Sequence, residues 1–299
     1  MILYTGYKRR IMIPAIVICS VVLVLGFAFY VYKESTEYHI VKYGFSDSRI
    51  RKDRVSFVFI SDLHNRQYGD KNKCIVDDIV RINPDFVVLG GDMITSCLEK
   101  WTDYSDTLDF ICNIKKSFPV YYCIGNHEER LKRRPEKFPE GEYEIFTSKL
   151  EEIGTPLLID EKIILEEFGI ILYSLNIEHD YYRKFVTREL PDTYVEEHIG
   201  KPDSNYYSIL TVHNPEHFKK YAKWGADLTL SGHIHGGIVR IPLLGGVISP
   251  AMKLFPKYDG GEFTIGSSKM VLSRGLGSHT IPIRVNNKAE LIVVDIEKK

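Results

Sequence analysis

Apolar and polar positions divide the chain into two unlike parts. Residues 11–32, IMIPAIVICSVVLVLGFAFYVY, carry no charged side chain, and about 20 apolar residues suffice for a helix to cross a bilayer core. Lys8, Arg9 and Arg10 precede the run, while KESTEYH after it is mixed in sign. That bias makes residues 1–10 a basic cytoplasmic tail and sends the remainder across the membrane. A cleaved signal peptide is the alternative, with Gly26-Phe27-Ala28 as its small-x-small triplet, yet the apolar run continues past it through FYVY. Cys19 follows IVI, without the small residue expected before a lipidated cysteine. The expectation is an uncleaved transmembrane helix over 11–32.

After a polar juxtamembrane linker expected over 33–54, the periodicity changes. VSFVFISD (55–62) and DFVVLGGD are short β-branched runs, and KNKCIVDDIVRI between them reads as a helix closed by Asn83-Pro84. TDYSDTLDFICNIKK reads as a helix, and FPVYYCIGNHE as a strand running into a turn. Such βαβαβ alternation predicts a parallel sheet covered by helices. After a charged stretch and a helix near 142–153, TPLLID, KIILEEFG and IILYSLNIEHD are spaced as antiparallel hairpins. YYSILTVHNPEHF, ADLTLSGHIHGG, GEFTIGSSKMVLSRG and AELIVVDIE supply further strands. The layout predicts one α/β domain over 55–299, with a mixed sheet or two sheets face to face.

Composition narrows the class. At 44% hydrophobic and 26% charged residues the chain is globular. Its 39 Lys+Arg against 40 Asp+Glu leave a net charge of −1, which gives no electrostatic case for a nucleic-acid partner. Cys19, Cys74, Cys97, Cys112 and Cys123 show neither CxxC nor zinc-ribbon spacing; the last four could pair in an exported domain or remain free thiols.

The informative feature is how the apolar runs end. FVFISDLH ends in Asp62 and His64, VVLGGD in Asp92, YYCIGNHE in Asn126 and His127, ILTVH in His213, and LTLSGHIH in His233 and His235. In an extended segment His233 and His235 point to one face. Carboxyl ends of strands in open α/β sheets are where ligands bind, so five segments deliver metal-binding side chains to one edge. His217 competes with His213 only if its segment is helical, and the strand ILTVH favours His213. His39, His179 and His198 read as surface or loop histidines.

With these blocks the chain resembles the calcineurin-like metallophosphoesterases. The family's D-x-H, G-D, G-N-H-[DE], single His and G-H-x-H occur in order as Asp62-Leu63-His64, Gly91-Asp92, Gly125-Asn126-His127-Glu128, His213 and Gly232-His233-Ile234-His235. SDLHN, LSGHIHGG, LFPKYDGGEF and SRGLG are similar to segments of its membrane-anchored bacterial YkuE-like branch. The resemblance implies a four-layer sandwich of two mixed sheets with flanking helices. It also implies a dimetal phosphohydrolase in which Asp62, His64 and His235 hold one ion, Asn126, His213 and His233 the other, and Asp92 bridges both. A metal-bridging hydroxide would attack the phosphorus. Mixed Asp, Asn and His donors suit Mn²⁺, Fe or Zn²⁺. His127 is then the expected general acid, and Glu128 either orients it or is a solvated helix-start carboxylate.

The implied substrate is a phosphate mono- or diester or a pyrophosphate of the cell envelope, lipid-linked or from a wall polymer. Two alternatives stand beside it: a catalytically silent binding module of the same fold, and a cytoplasmic domain. Three segments extend the reading. EERLKRRPEKFPEGE (128–142) is a solvated charged loop, or offers Arg130, Arg133 or Arg134 to a phosphate. IPLLGGVISPAMKLFP (241–256) is core, or a wall against lipid. SRGLGSHTIPIRVNN is expected to return to the site, bringing His279 toward the substrate.

Overall fold

The computed structural model describes residues 2–96, 103–182, 188–248, 254–278 and 283–299, with side chains from Pro14 onward. Helix α1 (Ile2–Thr36) contains the apolar run. Its Pro14–Thr36 portion is long and apolar enough to cross a membrane, with a mean hydropathy of 2.5. Glu37 alone separates it from strand β1 (Tyr38–Asp47). Then follow β2 (Arg54–Ile60), α2 (Lys73–Ile82), β3 (Phe86–Leu89), α3 (Ser105–Lys115), β4 (Val120–Cys123), α4 (Asn126–Arg133), α5 (Glu142–Ile153) and β5 (Leu157–Leu158). The second half comprises β6 (Glu161–Leu165), β7 (Ile170–Leu175), α6 (Tyr194–Ile199), β8 (Tyr207–Val212), α7 (Phe218–Trp224) and β9 (Leu228–Ser231). It closes with β10 (Arg240–Ile241), β11 (Gly245–Gly246), β12 (Gly261–Ile265), β13 (Ser268–Leu272) and β14 (Ala289–Lys298).

Among the described residues the strands form two six-stranded sheets and one short ribbon, β10–β11. The first sheet runs β1-β14-β2-β3-β4-β5 and the second β12-β13-β9-β8-β7-β6. Period-two alternation explains why the strands read as continuous apolar runs. In β2, Val55, Phe57 and Phe59 enter the core between the sheets, while Val58 and Ile60 pack outward under α2, α3 and α5. In β7, Ile170 and Leu172 face the first sheet, and Ile171 and Tyr173 face α6 and α7. Both faces of each central strand are covered, so both faces are apolar, and the layers stack helix, sheet, sheet, helix.

Three details differ from the expectation. Residues 38–47 are not linker: YHIVKYGFSD alternates half-buried and exposed positions, as an edge strand does, and pairs in parallel with β14 along its whole length. β5 belongs to the first sheet, parallel to β4, so of the three strands over 155–180 expected to form hairpins only β6 and β7 pair that way. The start of the charged stretch after His127, through Arg133, is α4 rather than loop, and its side toward the protein buries Leu131. Cys19, Cys74, Cys112 and Cys123 are free thiols, and Cys97 lies outside the described residues.

A candidate metal centre at the strand ends

The turns after β2, β3, β4, β8 and β9 meet at one edge of the two sheets. Asp62, His64, Asp92, His233 and His235 all sit there in left-handed backbone, with φ of 54°, 51°, 53°, 74° and 54°. Non-glycine residues rarely adopt this conformation, and each costs on the order of 1–3 kcal/mol that the surroundings must hold in place. Glycines allow the close approaches. A Cβ on Gly232 would lie 2.3 Å from Asp62 Oδ2, and one on Gly91 2.4 Å from the Gly125 Cα.

Three overlapping groups of donor atoms result, each within 4.8 Å: Asp62, His64 and His235; His64, Asp92 and His127; Asp92, His213 and His233. His64 Nε2 and His235 Nε2 face each other at 3.2 Å. Asp92 Oδ2 lies 3.1 Å from His213 Nε2 and 3.8 Å from His64 Nε2, so this carboxylate stands between the outer groups. Its other oxygen accepts the His127 N–H at 2.8 Å, tying the first turn of α4 to it. Asp62 accepts the Ser61 hydroxyl at 2.5 Å and the His233 N–H at 3.0 and 3.1 Å.

The donor set fits divalent cations. Asn126 Oδ1 is buried with no hydrogen-bond partner, which is costly unless something else satisfies it. Burial, followed by the neighbouring His213 charge, pushes the His233 imidazole well below its usual range; burial likewise lowers His235. Both are therefore neutral and offer lone pairs. Burial alone would lower His213, but the Asp92 and Asp62 carboxylates outweigh it and lift the ring to about 10. Burial would raise Asp92; the His213, His127 and His64 rings outweigh that and hold it well below the carboxylate range. Anionic carboxylates thus draw a positive charge into the cluster, and a bound cation takes over that task from the His213 proton.

His127 and Glu128 are held differently than expected. The Ser96 N–H donates to His127 Nδ1 at 2.9 Å, which leaves the ring's proton on Nε2, 3.9 Å from Asp92 Oδ2. Glu128 neither orients His127 nor meets solvent. It is fully buried and accepts from the Asp92, Met93, Ile94 and Gly125 N–H groups and the Tyr122 hydroxyl. The turn after β3 exposes a row of amides with no strand to pair them, and the Glu128 carboxylate satisfies that row. Burial, and then the Asp92 charge, pushes its carboxyl up.

Arg133 pairs along α4 with Glu129 at 3.3 Å, and Arg134 with Glu136. Arg130 donates to the Ser96 carbonyl at 2.7 Å, next to the amide that holds His127. His217 packs its ring against Tyr181 rather than joining the donor groups. His39, His179 and His198 are half-buried away from them, and His279 lies outside the described residues. Tyr182, unremarkable in sequence, sets its ring edge-on to His233 at 4.9 Å. Asn287, 52 residues from His235, donates to the His235 carbonyl at 2.8 Å; no local signal marks so distant a support.

Known proteins are similar to this chain. The calcineurin-like phosphoesterase family model matches residues 55–237. The phosphodiesterase YaeI of Escherichia coli is 22% identical over 91% of this chain and 93% of its own. The metallophosphoesterase YkuE of Bacillus subtilis is 25% identical over 88% of this chain and 85% of its own. Among solved structures, a dimetal phosphatase from Danio rerio overlays with a TM-score of 0.41 at 12% identity, covering 74% of this chain and 87% of that one.

Proposed function

This chain belongs to the calcineurin-like phosphoesterase family, which makes it a metal-dependent phosphoester hydrolase, and from that premise we propose a dimetal enzyme acting on a phosphorylated component of the cell envelope. The observation that carries the proposal is the position of Asp92, a member of two donor groups that lies 3.1 Å from His213 and 3.8 Å from His64 of the third. Asp62, His64 and His235 would hold one ion, Asn126, His213 and His233 the other, and Asp92 both. Mn²⁺, Fe or Zn²⁺ suits this mixed donor set. When bound, such ions neutralise phosphoryl charge and lower the pKa of water enough to supply a nucleophile at neutral pH.

The chain's own groups do the rest. The Ser96 amide fixes His127 as the tautomer with its proton on Nε2, ready to donate to a phosphoryl or leaving-group oxygen. Glu128 holds the amides around Asp92 rigid, so the carboxylate need not reorganise during the reaction. Helix α1 supports anchoring in a membrane, and Lys8, Arg9 and Arg10 support a cytoplasmic N-terminus with the catalytic domain on the other side. A phosphate mono- or diester or pyrophosphate of a lipid or wall polymer is the substrate that this placement offers.

The test is hydrolysis by the metal-stripped full chain, reloaded in turn with Mn²⁺, Zn²⁺, Mg²⁺ or Fe²⁺, on p-nitrophenyl phosphate and bis-p-nitrophenyl phosphate. Reloading should restore turnover, and His127→Ala should lower kcat about 10²–10⁴-fold without lowering metal content. An Asp92→Ala chain that binds metal and turns over like wild type would sink the proposal.

A further inference from the structure

The two described ends of the segment 241–256, expected as core or as a wall against lipid, expose apolar side chains. Ile241, Leu243 and Leu244 at the tip of the β10–β11 hairpin are exposed, Leu243 completely, as are Leu254 and Phe255. These two tips are one structure: Phe255 N donates to the Val247 carbonyl at 2.9 Å, and Ile248 bridges to Leu254. Leu243 and Phe255 have φ of 70° and 45°, positions where a bulky residue is strained. The fold thus spends strain to present large apolar side chains to the outside, a pattern that marks interaction sites.

Chain connectivity indicates what covers this surface. The 20 residues from 11 to 30 rise about 30 Å as a helix, the thickness of the hydrocarbon core, which sets Tyr30 at the lipid headgroups, where tyrosine is favoured. The end of α1 is fastened to the loop before β14. The Tyr30 hydroxyl accepts from Asn286 N at 3.0 Å, Glu34 from Asn287 N at 3.0 Å, and the Ser35 hydroxyl from Arg284 N at 3.0 Å. That loop in turn holds the hairpin: Arg240 N donates to the Val285 carbonyl at 3.0 Å, and Asn286 reaches the Arg240 carbonyl. With one residue between helix and sheet, the domain cannot swing away from the bilayer. Beside the hairpin tip lies a cleft of about 560 Å³ lined by Arg240, Lys257, Arg274 and Asp259; Asp259 pairs with Arg240 at 3.1 Å and Glu290 with Arg274 at 3.7 Å, so Lys257 adds a further positive charge to the cleft.

We propose that the Leu243–Leu244 and Leu254–Phe255 tips form a foot that enters the headgroup and upper acyl region of the bilayer beside α1, with the Arg240–Lys257–Arg274 cleft taking the phosphates of anionic phospholipids. The foot rests on the membrane-anchor reading but not on the hydrolase reading. Through Asn287, which donates to the His235 carbonyl, the same loop joins the foot to the metal-site turn. The foot therefore sets the candidate site at a fixed height above the lipid.

The test uses the full chain reconstituted into phosphatidylcholine vesicles, with and without phosphatidylglycerol, made from ordinary or acyl-brominated lipid. Flotation reports anchoring, and a far-ultraviolet circular dichroism spectrum and urea midpoint equal to wild type report an intact fold in the Leu243→Trp chain. Brominated lipid should at least halve the fluorescence that Leu243→Trp adds over the wild-type chain measured in the same lipid. Phosphatidylglycerol should deepen that quenching, and a further Lys257→Glu substitution should remove the deepening. A chain that floats but whose Leu243→Trp emission is the same in both lipids overturns the foot and leaves the anchor standing. A chain that does not float overturns both.

Discussion

Glu128 shows how single side chains hold the strained turns of the site. Left-handed backbone at Asp92 leaves the amides of residues 92–94 without sheet partners, and a buried amide without an acceptor costs about 1–3 kcal/mol. One carboxylate satisfies them together with the Gly125 amide and the Tyr122 hydroxyl. Glu128→Gln would turn an N–H group toward amide donors. It is expected to lower unfolding free energy by roughly 2–4 kcal/mol, whereas Tyr122→Phe, which removes one donor, costs about 1 kcal/mol. Denaturant titration of the metal-free chain checks this, and equal effects from the two variants would contradict the assignment.

At the scale of elements, the turn between β1 and β2 clamps the two sheets. Arg49 meets Asp47 at 2.7 Å on its own sheet and Asp227 at 2.8 Å, just before β9 in the other, and Asp227 also accepts the Ser208 amide that opens β8. Arg49→Met should destabilise the fold by about 1–3 kcal/mol, since one substitution strips the charged partner from both carboxylates. The Arg49 hydrogen bond, larger than the opposing effect of burial, holds the Asp47 carboxyl below its usual value. Stability from that pair is complete above the unfolded-state pKa of about 3.9 and is lost as pH falls through the lower folded value. The difference between wild type and Arg49→Met should therefore shrink below about pH 4; a difference unchanged down to the acid transition would refute the clamp.

The same scale explains what could be read in advance. Asp62, Asp92, His213, His233 and His235 were legible because each ends an apolar run, and a run's end is local in sequence. Strand β1 was not, because YHIVKYGFSD earns its place only by pairing with β14, some 250 residues away. The role of Glu128 is hidden for a related reason: the amides it serves belong to the turn after β3, 34 to 36 residues earlier. Long-range partners leave no period in the chain.

As a whole, the molecule places a rigid donor cluster at one edge of two packed sheets and fastens that edge, through the Arg284–Lys288 loop, to the end of an apolar helix. Turnover is expected to need two ions sharing Asp92. The most direct measurement is a titration of Mn²⁺ into the stripped full chain, following hydrolysis of bis-p-nitrophenyl phosphate at each equivalent. Turnover that stays low through the first equivalent and rises with the second is the predicted result. Full turnover at one equivalent, or turnover that survives complete chelation, would contradict it.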